Sequence, residues 1–156
     1  MMQSKNLDTT DRNILNLLQQ DGLMTYKEIA GKAKISMTNA VERIKYLREE
    51  GYIKKTVALI NTEKVRSLFI AFPHIQLKIQ SEETLKDFQE KMAQCPEVME
   101  CYHLTGHFDF MIKIALPDMV SYNEFLRNKI GILPYVGNIQ SFLVLSASKL
   151  ETAYQL

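Results

Sequence analysis

The sequence predicts an α+β protein in two parts: an all-helical N-terminal part, then a portion ordered β-α-β-β-α-β. Three observations predict it. Apolar residues recur at three- and four-residue spacing through the first fifty positions. Beyond Gly51 the pattern turns to alternation, as with Ile75, Leu77 and Ile79 around Gln76 and Lys78. The charge divides as well: residues 1–66 carry 12 Lys/Arg against 8 Asp/Glu, and residues 67–156 carry 7 against 10. A basic first part joined to an acidic second implies that only the first meets a polyanion.

The helical part has its own punctuation. Asp8 is placed to cap a first helix, with Asp11 near the positive end of its dipole and Ile14, Leu15 and Leu18 on one face. Asp21-Gly22 ends it. Thr25 and Glu28 form a capping box that opens a second helix burying Ile29 and Ala30. Ala33-Lys34-Ile35 is a tight connection, and Ser36 caps a third helix running to Gly51. Residues 52–60 have the β-branched content of a strand, and 61–67 are polar enough for a hinge. The expected organisation is therefore 1–60, a linker at 61–67, and 68–156.

In the second part Pro73 marks a bulge or the entry to the strand that carries Ile75 and Leu77. Leu85, Phe88 and Met92 lie at helical spacing across 82–93, and Pro96 follows. A strand at 98–105, a turn at Gly106-His107 and a strand at 108–116 form a hairpin. In its second arm Phe108, Phe110, Ile112 and Ile114 are expected on one face, with Asp109, Met111 and Lys113 on the other. Pro117-Asp118 starts a helix carrying Met119, Tyr122, Phe125, Leu126 and Ile130, and 136–147 is a last strand. This is the ferredoxin-like split order, which puts its helices on one sheet face. An apolar open face predicts self-association.

Composition excludes several classes. At 46% hydrophobic and 24% charged, the chain of 156 residues has the balance of a folded protein. No apolar run approaches the roughly 20 residues of a membrane span. Residues 1–6 lack the apolar core of a signal peptide, so a cytoplasmic protein without membrane attachment is expected. Cys95 and Cys101 have neither disulfide nor zinc spacing. No metal and no cofactor is expected.

The third helix carries the chemistry. Met37, Ala40, Ile44 and Leu47 form its inner stripe, widened by Val41. Thr38, Asn39, Glu42, Arg43, Lys45, Tyr46 and Arg48 form the outer face. In a winged-helix or helix-turn-helix domain such a helix enters the major groove with its N-terminal residues at base edges. Asn39 suits adenine, Arg43 guanine or a phosphate, and Thr38 a thymine methyl or a phosphate. Lys45, Arg48, Lys54 and Lys55 suit phosphates. Thr25, Ser36 and Met37 complete the candidate contacts with double-stranded DNA. Arg43 is equally placed to bridge to Glu42 or Asp11 inside the domain. The competing reading is a three-helix bundle with a solvated charged face. Short helices, tight connections and the basic surplus favour DNA.

Four segments in order resemble the Lrp/AsnC, or feast/famine, regulators. Leu7-Asp8, Asp11, Ile14-Leu15, Leu18 and Asp21-Gly22 resemble that family's opening. Ser36, Val41, Arg43-Ile44, Leu47 and Gly51-Tyr52-Ile53 resemble its recognition helix and exit. Thr105 to Phe110 with Pro117-Asp118-Met119 resembles its effector hairpin, and Leu133-Pro134-Tyr135-Val136 the turn before its last strand. The resemblance implies homodimers that assemble to tetramers or octamers. It also implies an amino acid or related metabolite bound between dimers, at the 106–109 hairpin and the facing last strand. The implied effector residues are Leu104, Thr105, Gly106, His107, Phe108, Asp109, Met119, Tyr122 and Ser141.

The chemistry is compatible. A glycine turn exposes N–H groups for a carboxylate, Asp109 offers a charge for an amino group, and Ser141 offers a hydroxyl. Read from the residues alone, Gly106-His107 is equally a plain turn and Asp109 a surface carboxylate. His107 stands where the family commonly has an acid, Tyr135 where it has Gly, and Ile139 where it has a hydroxyl residue. Met37 and Asn39 stand where some members have Pro, and Lys34 replaces the usual turn Gly. If that position needs positive φ, Lys costs about 1–2 kcal/mol.

Two alternatives remain at this point. One is an architectural DNA-binding protein with no effector. The other is an enzyme resembling the siroheme decarboxylases, with Cys101 and His103 facing the same way near His107 and Asp109, although usual metal-ligand spacing is absent.

Overall fold

The structure, a computed structural model, describes residues 7–156. Residues 1–6, read above as lacking a signal-peptide core, lie outside the described residues. Residues 7–59 cluster with Lys149–Leu156 in one compact unit, and Ile60–Ser148 form a second.

In the first unit, α1 (Thr9–Gln20), α2 (Tyr26–Ala33) and α3 (Met37–Glu49) each begin at the cap the residues predict. Asp8 Oδ1 accepts the Asp11 N–H at 2.8 Å, and Thr25 Oγ1 accepts the Glu28 N–H at 3.3 Å. Ser36 Oγ accepts the Asn39 N–H at 3.2 Å. Each bond satisfies an N–H that the first helical turn leaves without an intrahelical partner. Ile14, Leu15, Ile29, Ala30, Ala40, Ile44 and Leu47 form the buried core. Lys34 ends α2 at φ 55, ψ 45, the left-handed region. The tight turn into α3 therefore does require positive φ, and Lys carries its strain.

The strand expected at 52–60 does not form. The segment leaves α3 at Gly51 (φ 77) and continues without ladder pairing, with Val57 and Leu59 exposed. β-branched residues favour a pleated, half-buried surface, and here no neighbouring strand supplies one. It does pass close to the α1–α2 turn, where a Cβ on Gly22 would sit 2.8 Å from Thr56 Cγ2.

The second unit opens with the single turn α4 (Thr62–Val65). β1 (Phe69–Leu77), α5 (Glu82–Ala93), β2 (Val98–His103), β3 (Phe110–Leu116), α6 (Met119–Phe125) and β4 (Val136–Leu143) follow, with a wide π-type turn, Leu126–Ile130, after α6. The sheet is antiparallel, in the order β2-β3-β1-β4. Phe88 and Met92 from α5 and Tyr122 and Phe125 from α6 pack with Ala71, Ile75, Phe110, Ile112 and Ile114. The helices thus cover one face, as the βαββαβ order requires.

Three sequence expectations are corrected here. β2 stops at His103 and β3 starts at Phe110, so the hairpin connection is longer than the Gly106-His107 turn. β4 ends at Leu143, not at 147. Pro73 stands in the middle of β1, one of the two inner strands, where the ladder to β3 skips from Ala71 to His74. Proline has no N–H to contribute there. The register shift falls instead between Ile75 and Leu77, on the β4 side.

Candidate nucleic-acid interface and effector site

α3 turns about 100° per residue, so residues beside the buried line Ala40-Ile44-Leu47 fall on two opposite flanks. One flank leans towards the start of α1. Arg43 Nη1 pairs with Asp8 Oδ2 and Asp11 Oδ1, each at 2.7 Å, and Arg43 Nε donates to Asn39 Oδ1 at 2.7 Å. Of the alternatives open to Arg43 in the sequence, the bridge to Asp11 is the one formed, with Asp8 added. Asp8 is held below the ordinary carboxyl value, first by the Asp11 N–H and then by Arg43. Tyr46 is half-buried on this flank beside Tyr52, with ring centroids 6.3 Å apart.

The other flank is open. Met37 is 58% exposed and Val41 36%, which corrects their assignment to the inner stripe. Met37 begins the helix, and Val41 lies one residue around from Ala40, so neither meets α1 or α2 squarely. Thr38, Glu42, Lys45 and Arg48 are exposed with them. Lys45 makes one long pair, to Glu49 at 3.7 Å. Thr25 and Ser36 are exposed, but their hydroxyls are engaged as helix caps. Lys54 is exposed and lines a cavity of about 890 Å³ with Leu15, Leu18, Tyr52, Val57 and Tyr154, all within this unit. Gln19 fixes the tail there. Its Nε2 donates to the Tyr154 carbonyl at 2.9 Å, and its Oε1 accepts the Tyr154 N–H at 2.7 Å. The sequence carried no sign of this pairing.

The effector candidates fall into two groups. The first is the connection 104–109. Gly106 takes φ +108, a conformation that glycine adopts without strain, and Thr105, Gly106 and His107 are exposed. The Leu104 N–H donates to the Asp109 carbonyl at 2.8 Å and the Asp109 N–H to the Ile75 carbonyl at 2.9 Å. The carboxylate of Asp109 is not at the surface. It is buried, and Oδ2 accepts the Leu77 N–H at 2.7 Å, just past the register shift in β1. Phe108 does not share the face of Phe110. It lies against His74, with ring centroids 5.5 Å apart, among the side chains of the helix-free face. The alternation expected from Phe108 breaks because β3 begins two residues later.

The second group joins α6 to β4. The Tyr122 hydroxyl donates to Ser141 Oγ, and burial pushes the Tyr122 phenol up from its ordinary value. Met119, one turn earlier, is exposed. Among the described residues no hydrogen bond, ion pair or ring contact joins this group to 104–109. Cys101 packs on the core and His103 stacks on Phe110 at 5.0 Å. No cluster of three or more His, Cys, Asp or Glu residues able to hold a metal occurs among the described residues. No described helix is long and apolar enough to cross a membrane.

The helix-free sheet face holds features the sequence reading missed. His74 Nδ1 donates to the Phe72 carbonyl at 3.0 Å, and its ring meets Phe142 edge-on at 4.7 Å. Lys113 pairs with Glu100 across the strands at 2.9 Å. Alternation placed Lys113 on that face, but its partner depends on register.

An open-flanked third helix on a small bundle, followed by a separate sheet-and-helix unit, defines a two-part DNA-binding regulator. Comparison with known proteins agrees. Residues 7–54 match the winged helix-turn-helix DNA-binding model, and residues 70–154 match the Lrp/AsnC ligand-binding domain. The Bkd operon transcriptional regulator of Pseudomonas aeruginosa is 31% identical over 147 residues, covering 94% of this chain and 96% of that one. The leucine-responsive regulatory protein of Escherichia coli is 31% identical over 145 residues, covering 93% and 88%. A solved transcriptional regulator from Neisseria meningitidis, in complex with L-Met, superposes with a TM-score of 0.87 at 28% identity, covering 96% of each chain. The chain belongs to the Lrp/AsnC family of transcription regulators. Its relatives are regulators, not enzymes, which sets aside the decarboxylase alternative.

Proposed function

We propose that this regulator reads specific duplex DNA through α3 and that an amino acid, or a close metabolite, bound by the second unit changes its assembly and its hold on DNA. The observation that carries the effector reading is the full-length similarity to a regulator solved with L-Met. The exposed loop at Thr105, Gly106 and His107 supports it: Gly106 takes φ +108 with open space around it, and a glycine turn can present backbone N–H groups to a carboxylate. In this reading Asp109 shapes the loop rather than ligating the amino group. Leu104, Phe108, Met119, Tyr122 and Ser141 flank the site once a second protomer is present. The helix-free face, with Phe72, His74 and Phe142, is the surface for self-association into dimers and higher oligomers. The protein acts in the cytoplasm, where its DNA is.

A panel of free amino acids, followed by thermal unfolding and by size-exclusion chromatography with light scattering, tests the sensing half. At least one amino acid is expected to raise the unfolding temperature and to shift the oligomer distribution, because a ligand that binds only the folded state stabilises it. If none does either, sensing fails and the architectural alternative takes its place.

A further inference from the structure

We propose that Met37 and Val41 are specificity-determining residues, recognising the C5-methyl groups of thymine in the major groove. The inference rests on the reading of α3 as the DNA-contacting helix.

Two of the side chains best suited to hydrogen-bond a base are already engaged. Arg43, the natural partner of guanine, is held by Asp8, Asp11 and Asn39. Asn39, the natural partner of adenine, accepts from Arg43 and is half-buried. What α3 leaves open is Met37, Thr38, Val41, Glu42, Lys45 and Arg48. Glu42 decides how that surface lies. A carboxylate at its edge is repelled by phosphate and suits a cytosine amino group, which favours placing this part of the helix at base edges, with Lys45 and Arg48 reaching the backbone further along.

Two of the residues then facing the bases are apolar, Met37 at 58% exposure and Val41 at 36%. The thymine methyl is the apolar group that B-DNA displays in the major groove. Met37 and Val41 stand one turn apart, about 6 Å along the axis. Bases on one strand are spaced about 3.4 Å. The pair therefore spans about two base steps, and the half-site should carry two thymines at that separation.

The test uses the full-length chain and a site it selects from a random duplex pool. Each thymine is replaced singly by deoxyuridine, which removes only the methyl. Two nearby substitutions are expected to weaken binding about fourfold each, the transfer value of one buried methyl. Val41→Ala should bind thymine and uracil duplexes equally at one of these positions, and Met37→Ala at the other. Lys45→Ala should weaken both duplexes alike. Neither Met37 nor Val41 belongs to the buried core, so unchanged thermal unfolding certifies the variants as folded. A site that tolerates uracil throughout, or a Val41→Ala variant that keeps the full discrimination at both positions, overturns the proposal. A pool that yields no enriched site overturns the underlying DNA reading instead.

Discussion

Asp11 and Asp109 are both buried, at 7% and 8% exposure, one in each unit, and they are held differently. Asp11 meets a cation, Arg43, which ties the start of α1 to the side of α3. Asp109 meets a backbone amide, Leu77 N–H, which ties the connection 104–109 to the register shift in β1. Residues that look like donors and acceptors for DNA or ligand are thus fastening the scaffold. The surfaces proposed for recognition are those the fastening leaves open: one flank of α3, and the loop around Gly106.

Removing either fastening measures the contrast. Asp109→Ala orphans a buried N–H and should lower unfolding free energy by about 2–3 kcal/mol in urea denaturation. Asp109→Asn keeps an acceptor and should cost about 1 kcal/mol. Equal losses in the two variants would mean that the charge, not the hydrogen bond, matters. Arg43→Ala leaves Asp11 without its cation. Because Asp8 and part of Arg43 face solvent, the expected loss is smaller, about 1–2 kcal/mol. DNA affinity should fall with stability and recover under conditions that restore folding. A loss of affinity with unfolding unchanged would put Arg43 on the DNA.

The turn between α2 and α3 gives a gain. Lys34→Gly should stabilise the protein by about 1 kcal/mol, since the φ of 55 is strained for Lys and glycine's looser unfolded state offsets only part of the relief. Unchanged or reduced stability would show that the strain is absorbed elsewhere. The smallest effect is a pH dependence. The folded pKa of Asp8 lies below 3.8, so its contribution is present above that value and lost as pH falls through the lower folded one. Asp8→Asn should flatten the acid end of the stability curve measured by circular dichroism. A curve of unchanged shape would remove Asp8 from the capping and ion-pair account.

Most of the element pattern was legible because it is local. Asp8, Thr25, Ser36 and Asp118 cap the helices they precede, and α5 has the bounds its spacing predicts. What depends on a distant partner was less so. Residues 52–60 have strand composition and no strand to pair with. Phe108 alternates correctly with Phe110 in sequence, yet the chain reaches β3 only at Phe110. Asp109 has the chemistry of a ligand group, and only the register shift past Ile75 reveals the N–H it serves. Met37 and Val41 fall at or near helical core spacing, and the packing of α1 and α2 leaves them outside.

The central claim is that α3 reads sequence. Its most direct test is the affinity of the full-length chain for a site selected from random duplex DNA, compared with a scrambled duplex of the same composition at fixed salt. Specific readers commonly discriminate by about a thousandfold or more. The account predicts a preference of at least about a hundredfold, which falls by about sixteenfold per half-site when Val41 and Met37 are both replaced by Ala. Equal affinity for the selected and scrambled duplexes would contradict it and leave a protein that coats DNA without reading it.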